Sequence, residues 1–83
     1  MGWNSITLVQ NNPLYQDMIE SRFYFAHSYH ISSINRENIL TTTFYGYEFV
    51  SSFSEENIIG VQFHPEKSHK FGMKLLRNFI ECF

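Results

Sequence analysis

One cysteine, two prolines, four glycines and one tryptophan are all that the 83-residue chain holds of those types. A lone thiol, Cys82, cannot close an internal disulfide, so covalent stapling is excluded as a source of stability. Charge is scarce as well: charged residues make up 17% of the chain, only six are Lys or Arg, and the net charge is −2. Six cations in a chain of net negative charge are too few to track a phosphate backbone, which argues against a nucleic-acid partner. No apolar run nears the roughly 18 residues needed to span a bilayer, and no basic start introduces an apolar leader. These absences predict a soluble, cytoplasmic protein in a reducing setting, with no membrane partner.

Aromatic surface is what the chain has in excess, with nine Phe and five Tyr. A chain this short makes one small domain with a marginal core. More rings than that core can absorb imply surface meant for a partner or for a missing part of the fold.

Ser5 to Val9 is rich in β-branched residues and predicts a strand, followed by turn chemistry at Asn11-Asn12-Pro13. The spacing of Leu14, Tyr15, Met18 and Ile19 predicts about two helical turns over 14–21. Phe23 to Tyr29 predicts a strand with no plainly polar face, hence one covered on both sides. After a polar loop, 39–45 and 47–53 read as a hairpin around Gly46, and 58–63 as a last strand. The period then changes. Phe71, Leu75, Leu76, Phe79, Ile80 and Phe83 recur every three or four residues, predicting a helix that Ser68 caps and that packs on the sheet through one apolar stripe. Mostly antiparallel strands followed by one helix is an α/β arrangement with a bare face and edge, so residues 1–83 read as part of a larger α/β domain.

The chemistry gathers at Gly60-Val61-Gln62-Phe63-His64-Pro65-Glu66-Lys67-Ser68, where an apolar strand stops on a histidine, a proline and a glutamate. Pro65 lacks the N–H of a ladder residue and pushes His64 into extended geometry. Extended residues two apart project to one side, which would bring the His64 imidazole and the Glu66 carboxylate together. A carboxylate on one ring nitrogen fixes the tautomer and leaves the other nitrogen to take a proton from a nucleophile. By itself His-x-Glu is better explained by an ordinary surface pair at a strand end.

No nucleophile is evident to complete such a site. Cys82 falls among Phe79, Ile80 and Phe83 in the terminal helix without the glycine-rich elbow that exposes nucleophiles of this class, and reads as a buried structural thiol. A metal site built from His27, His30, His64, Glu66 and His69 lacks the paired short spacing of zinc ligands, and no metal or other cofactor is expected. For Trp3 and Tyr24 core packing is the readier reading, with an interface anchor as the alternative.

The longer string resembles the histidine-and-glutamate segment of class I glutamine amidotransferases. Within that family the chain is similar to the glutaminase subunits of imidazole glycerol phosphate synthase. The similarity is carried by Met1-Gly2-Trp3-Asn4, Phe25-Ala26-His27-Ser28-Tyr29, Tyr45-Gly46 with Phe49, Asn57-Ile58, Gly60 through Ser68, and Gly72 with Leu75-Leu76 and Asn78-Phe79. It implies the C-terminal part of a flavodoxin-like domain, about the last two-fifths, whose cysteine-bearing N-terminal segment and oxyanion-hole loop lie outside the chain; Met1 falls on an internal methionine of the family pattern. It implies hydrolysis of glutamine and delivery of ammonia to a (β/α)₈ synthase/cyclase subunit in histidine biosynthesis, a heterodimer partner. By position, His64 would be the general base and acid and Glu66 its orienting carboxylate. Ser28 and Tyr29 would contact glutamine, and Trp3, Asn4, Tyr24 and Lys67 would lie near the subunit interface. Ala26 stands where valine is commoner. A non-catalytic docking fragment, or an amidotransferase feeding another pathway such as sugar biosynthesis, remains open on sequence grounds.

Overall fold

A computed structural model describes residues 2–18, 20–26 and 34–82. The chain runs β1 (Gly2–Ser5), β2 (Thr7–Leu8), a 3₁₀ turn at Pro13–Tyr15, β3 (Arg22–Phe25), a 3₁₀ turn at Arg36–Asn38, β4 (Ile39–Tyr45), β5 (Tyr47–Glu55), β6 (Ile58–Val61), a 3₁₀ turn at Pro65–Lys67, and α1 (His69–Cys82). Among the described residues every strand pairing is antiparallel: β1 with β3 in one ribbon, and β2-β4-β5-β6 in a four-stranded sheet. None of the described helices is long and apolar enough to cross a membrane.

The first predicted strand is in fact two. Ile6 buries its side chain and donates its N–H to Ser21 O at 3.2 Å, which breaks the run and sends β1 and β2 into different sheets. Where a helix was expected over 14–21, the described residues form a single 3₁₀ turn at Pro13–Tyr15, and Ile19 lies outside them. Asn12 Oδ1 accepts the Leu14 N–H at 2.9 Å and Pro13 opens the turn, but Asp17 and Glu20 take left-handed φ values of 61° and 58°, which a continuing helix cannot contain. Leu14, Tyr15 and Met18 still reach the core, so the apolar spacing reported burial correctly and helicity wrongly.

The hairpin forms as predicted, with Gly46 at φ 77° between β4 and β5. A register shift near Thr41 breaks the alternation, so Leu40 with Thr41, and Ser51 with Ser52, turn inward as consecutive pairs. The inward hydroxyls form a buried network. Thr41 Oγ1 lies 2.7 Å from Ser51 Oγ and 2.6 Å from Ser52 Oγ, and the Tyr15 hydroxyl donates to Ser52 Oγ at 2.6 Å. Burial pushes the Tyr15 phenol up to about 12, partly offset by its hydrogen bonds to Ser52 and Thr41.

β3 carries the aromatic core, with Phe23 and Phe25 fully buried on one face. Phe63 stacks on Phe23 at 4.1 Å between centroids and meets Phe25 edge-on at 5.7 Å, while Phe49 closes on Phe25 at 5.8 Å. Each such ring stabilises by about 1.5–3 kcal/mol on leaving water.

α1, expected to pack on the sheet, packs mostly on turns, those at Pro13–Tyr15 and Pro65–Lys67, and also on β3. Its buried face is Gly72, Leu75 and Asn78, with Phe71 beside the core; Leu76, Phe79 and Ile80 of the predicted stripe are exposed. Asn78 Nδ2 donates to Leu14 O at 3.0 Å and Gln16 O at 3.1 Å, and so clamps the first turn to the helix. Cys82 is exposed, which corrects the reading of it as a buried thiol.

Gly72 sets the distance between α1 and the Pro65–Lys67 turn. A Cβ at that position would fall inside the van der Waals shell of the Pro65 carbonyl oxygen, a main-chain atom that cannot swing aside. Gly72→Ala should therefore part helix and turn and destabilise by about 3 kcal/mol, the upper range for overpacking. A thermal melt checks this, with a drop on the order of 10 °C or more expected.

The Tyr15 phenol supplies a pH test. Since its folded-state value lies above its ordinary 10.0, the associated stability is complete below pH 10 and is lost as pH rises through about 12. Melting temperatures from pH 9 to 12 should fall more steeply for the wild-type chain than for Tyr15→Phe.

Candidate active site

β6 ends at Val61, two residues before the predicted boundary, because the chain changes sheets. Gln62 still donates its N–H to Ser51 O of β5 at 2.9 Å, whereas His64 donates its N–H to Tyr24 O of β3 at 2.8 Å. Between them Phe63 drops its ring into the aromatic core. His64 is thus fixed by main-chain bonding on one side and a buried anchor on the other.

Pro65 then begins the 3₁₀ turn, its ring pre-set for the first turn position. His64 keeps extended geometry (φ −104°, ψ 97°), and the turn carries Glu66 back toward it. His64 Nδ1 comes within 3.1 Å of Glu66 Oε2. The pair predicted along a strand end is present, but it meets across a tight turn.

With the carboxylate on Nδ1, the proton resides there and the Nε2 lone pair is left for proton transfer. Glu66's own backbone N–H, then its hydrogen bond and charge interaction with His64 and the Lys67 charge, hold its carboxyl below the usual glutamate value against a desolvation effect. It is therefore ionised at neutral pH. The side chains are 36% and 63% exposed, so the pair faces outward, open to a further group.

The expected interface residues divide. Trp3 and Tyr24 are cross-strand neighbours on β1 and β3, their rings edge-to-face at 6.1 Å. Trp3, 42% exposed, also stacks on His69 at 5.6 Å. Lys67 is exposed in the turn itself. Asn4 pairs with Phe23 and so lies on the opposite face of β1 from Trp3, with Nδ2 donating to Gly2 O at 3.5 Å. Ser28 and Tyr29, the expected glutamine contacts, lie outside the described residues, as do His27 and His30. Among the described residues, no three His, Cys, Asp or Glu side chains come together as a metal site. Cys82 sits at the far end of α1, roughly 20 Å along the axis from His69 at 1.5 Å per residue.

The sequence reading missed the supports of this turn. Ser68 was expected to cap α1 with its hydroxyl, but that hydroxyl is taken by Tyr24 and His64, and it is the Ser68 carbonyl that accepts the N–H groups of Phe71 and Gly72. A glycine inside a helical pattern, Gly72, was the available signal of a close approach.

Residues 1–82 match the family described as glutamine amidotransferase class-I. The chain is 57% identical over 82 residues to the imidazole glycerol phosphate synthase subunit HisH 2 of Methanococcus maripaludis, covering 98% of this chain and 41% of that protein. It is 45% identical to the HisH 2 subunit of Pseudomonas aeruginosa and to the HisH subunit of Methanocaldococcus jannaschii, again over 98% of this chain and 41% of each relative. The chain spans about two-fifths of the length of these curated relatives. A His-Glu pair held on a proline turn, within a match that runs nearly end to end, leads to one conclusion: the chain belongs to the class I glutamine amidotransferase family.

Proposed function

We propose that this chain supplies the base and its carboxylate to a glutamine-hydrolysing site, His64 and Glu66 acting with a cysteine from a polypeptide segment outside residues 1–83. The carrying observation is the 3.1 Å contact between His64 Nδ1 and Glu66 Oε2, which leaves Nε2 to serve the chemistry. The cysteine thiol would give its proton to Nε2 as sulfur attacks the carboxamide carbon of glutamine. The imidazolium, held by the Glu66 carboxylate, would return that proton to the departing nitrogen, releasing ammonia and leaving a thioester. A water deprotonated by His64 would then cleave the thioester to glutamate and restore the thiol.

That the relatives are subunits of imidazole glycerol phosphate synthase favours delivery of this ammonia within such a synthase over delivery to another pathway, and the family resemblance makes the recipient a (β/α)₈ synthase subunit of histidine biosynthesis. Ser28 and Tyr29 are assigned to glutamine, and Trp3, Asn4, Tyr24 and Lys67 to the subunit interface. The Trp3 and Tyr24 rings and the Lys67 turn offer a part-exposed aromatic and cationic edge for that contact. A cytoplasmic setting accords with such a reaction.

Fused to the cysteine-bearing portion of a relative and supplied with the synthase subunit, the chain should release glutamate from glutamine. His64→Ala should lower kcat by about 10⁴-fold or more, and Glu66→Gln by about 10²- to 10⁴-fold, since loss of the orienting group leaves base and nucleophile in place. Full activity in the His64→Ala fusion would overturn the assignment.

A further inference from the structure

Ser68 is fully buried and its hydroxyl joins two strangers in sequence. Oγ accepts the Tyr24 N–H at 3.0 Å and donates to the His64 carbonyl at 2.6 Å, while Tyr24 O accepts the His64 N–H at 2.8 Å. Tyr24 therefore spends both main-chain groups on the turn, one directly and one through Ser68. The His64 carbonyl also accepts the Lys67 N–H at 3.0 Å, so the peptide planes on both sides of the histidine Cα are fixed. A histidine with both flanking peptides fixed has its Cα–Cβ direction set, and only χ1 and χ2 remain to aim the ring.

Gly72 presses the Pro65 carbonyl from behind and completes the enclosure. Helix packing and the direct His64–Tyr24 bond hold the turn on β3; the hydroxyl adds the second tie to Tyr24.

We infer that Ser68 is a positioning residue for the base: its hydroxyl, bridging the Tyr24 N–H and the His64 carbonyl, sets the backbone that lets Glu66 select the Nδ1–H tautomer of His64. The inference rests on the amidotransferase reading only for its catalytic meaning; the bridge and the tautomer belong to the chain itself. Without Oγ the part-buried Tyr24 N–H loses its partner, and the turn shifts or admits water to satisfy it. A shift of about 1 Å suffices to break a 3.1 Å contact between side chains this exposed.

The test is the ¹⁵N imidazole spectrum of His64 in the full chain at pH 8, assigned with His64→Gln. Wild type should show predominantly the Nδ1–H tautomer. Ser68→Ala should move His64 to the Nε2–H tautomer usual for a free histidine. Asn78→Ala, which removes the clamp on Leu14 and Gln16, lowers stability away from the turn and should leave the tautomer unmoved.

An unchanged spectrum in Ser68→Ala overturns the inference, and so does an equal change in Asn78→Ala, which would make the effect general loosening. If Ser68→Ala does not fold, Ser68→Cys keeps the side-chain shape with a weak sulfur partner; a wild-type tautomer in that folded variant overturns it too. The expected tautomer shift in a chain whose cysteine-complemented fusion leaves glutamine intact would keep the bridge and remove the amidotransferase reading.

Discussion

Two hydrogen bonds decide the shape of this molecule: Gln62 N–H to Ser51 O, and His64 N–H to Tyr24 O. Adjacent backbone donors on the same side of the chain are spent on different sheets, so the segment between them must cross from one to the other. The crossing buries Phe63 against Phe23 and Phe25, and it joins the β1–β3 ribbon to the four-stranded sheet. It also leaves His64 at the point where the chain has just left one ladder and met another. The proline turn that follows is needed because no strand continues there, and the histidine and glutamate approach each other as a result of that turn.

What the sequence disclosed and what it withheld separate along physical lines. Gly46, the β4–β5 hairpin and the terminal helix were legible because their causes are local: a left-handed turn position, alternation, and a 3.6-residue period. The 14–21 segment was misread because burial of Leu14, Tyr15 and Met18 has the same spacing whether the backbone is a helix or a turn followed by left-handed residues. The helix face was rotated from prediction by Asn78, a polar residue buried because it serves two carbonyls 62 and 64 positions away. Hydrophobic periodicity has no means of registering such a partner. His64 and Glu66 were legible as a pair, yet the bonds that aim them come from Tyr24 and Ser68, whose roles depend on sheet pairing that no local pattern states.

The two halves of the interior are built from different materials. Around β3 it is aromatic, with rings meeting edge-on or stacked. Between β4 and β5 the register shift turns hydroxyls inward, where Thr41, Ser51, Ser52 and Tyr15 satisfy one another. Apolar packing tolerates small displacements, whereas hydroxyl networks in a low dielectric do not. The turn that carries His64 and Glu66 is seated on the aromatic side and tied by the Ser68 hydroxyl, so its alignment depends on few directional bonds.

The bond from Tyr24 to Ser68 spans 44 positions of sequence. Closing a loop of that length carries an entropic cost that grows slowly with length but cannot be shared among many bonds when only a few bridge the gap. The β4–β5 hairpin closes around one glycine and carries almost none of it. In folding terms the hairpin can form early as a local unit, while His64 and Glu66 acquire their alignment when the segments around Tyr24 and Ser68 come together. The residues that would do the chemistry thus depend on a long-range tie that the local hairpin does not need.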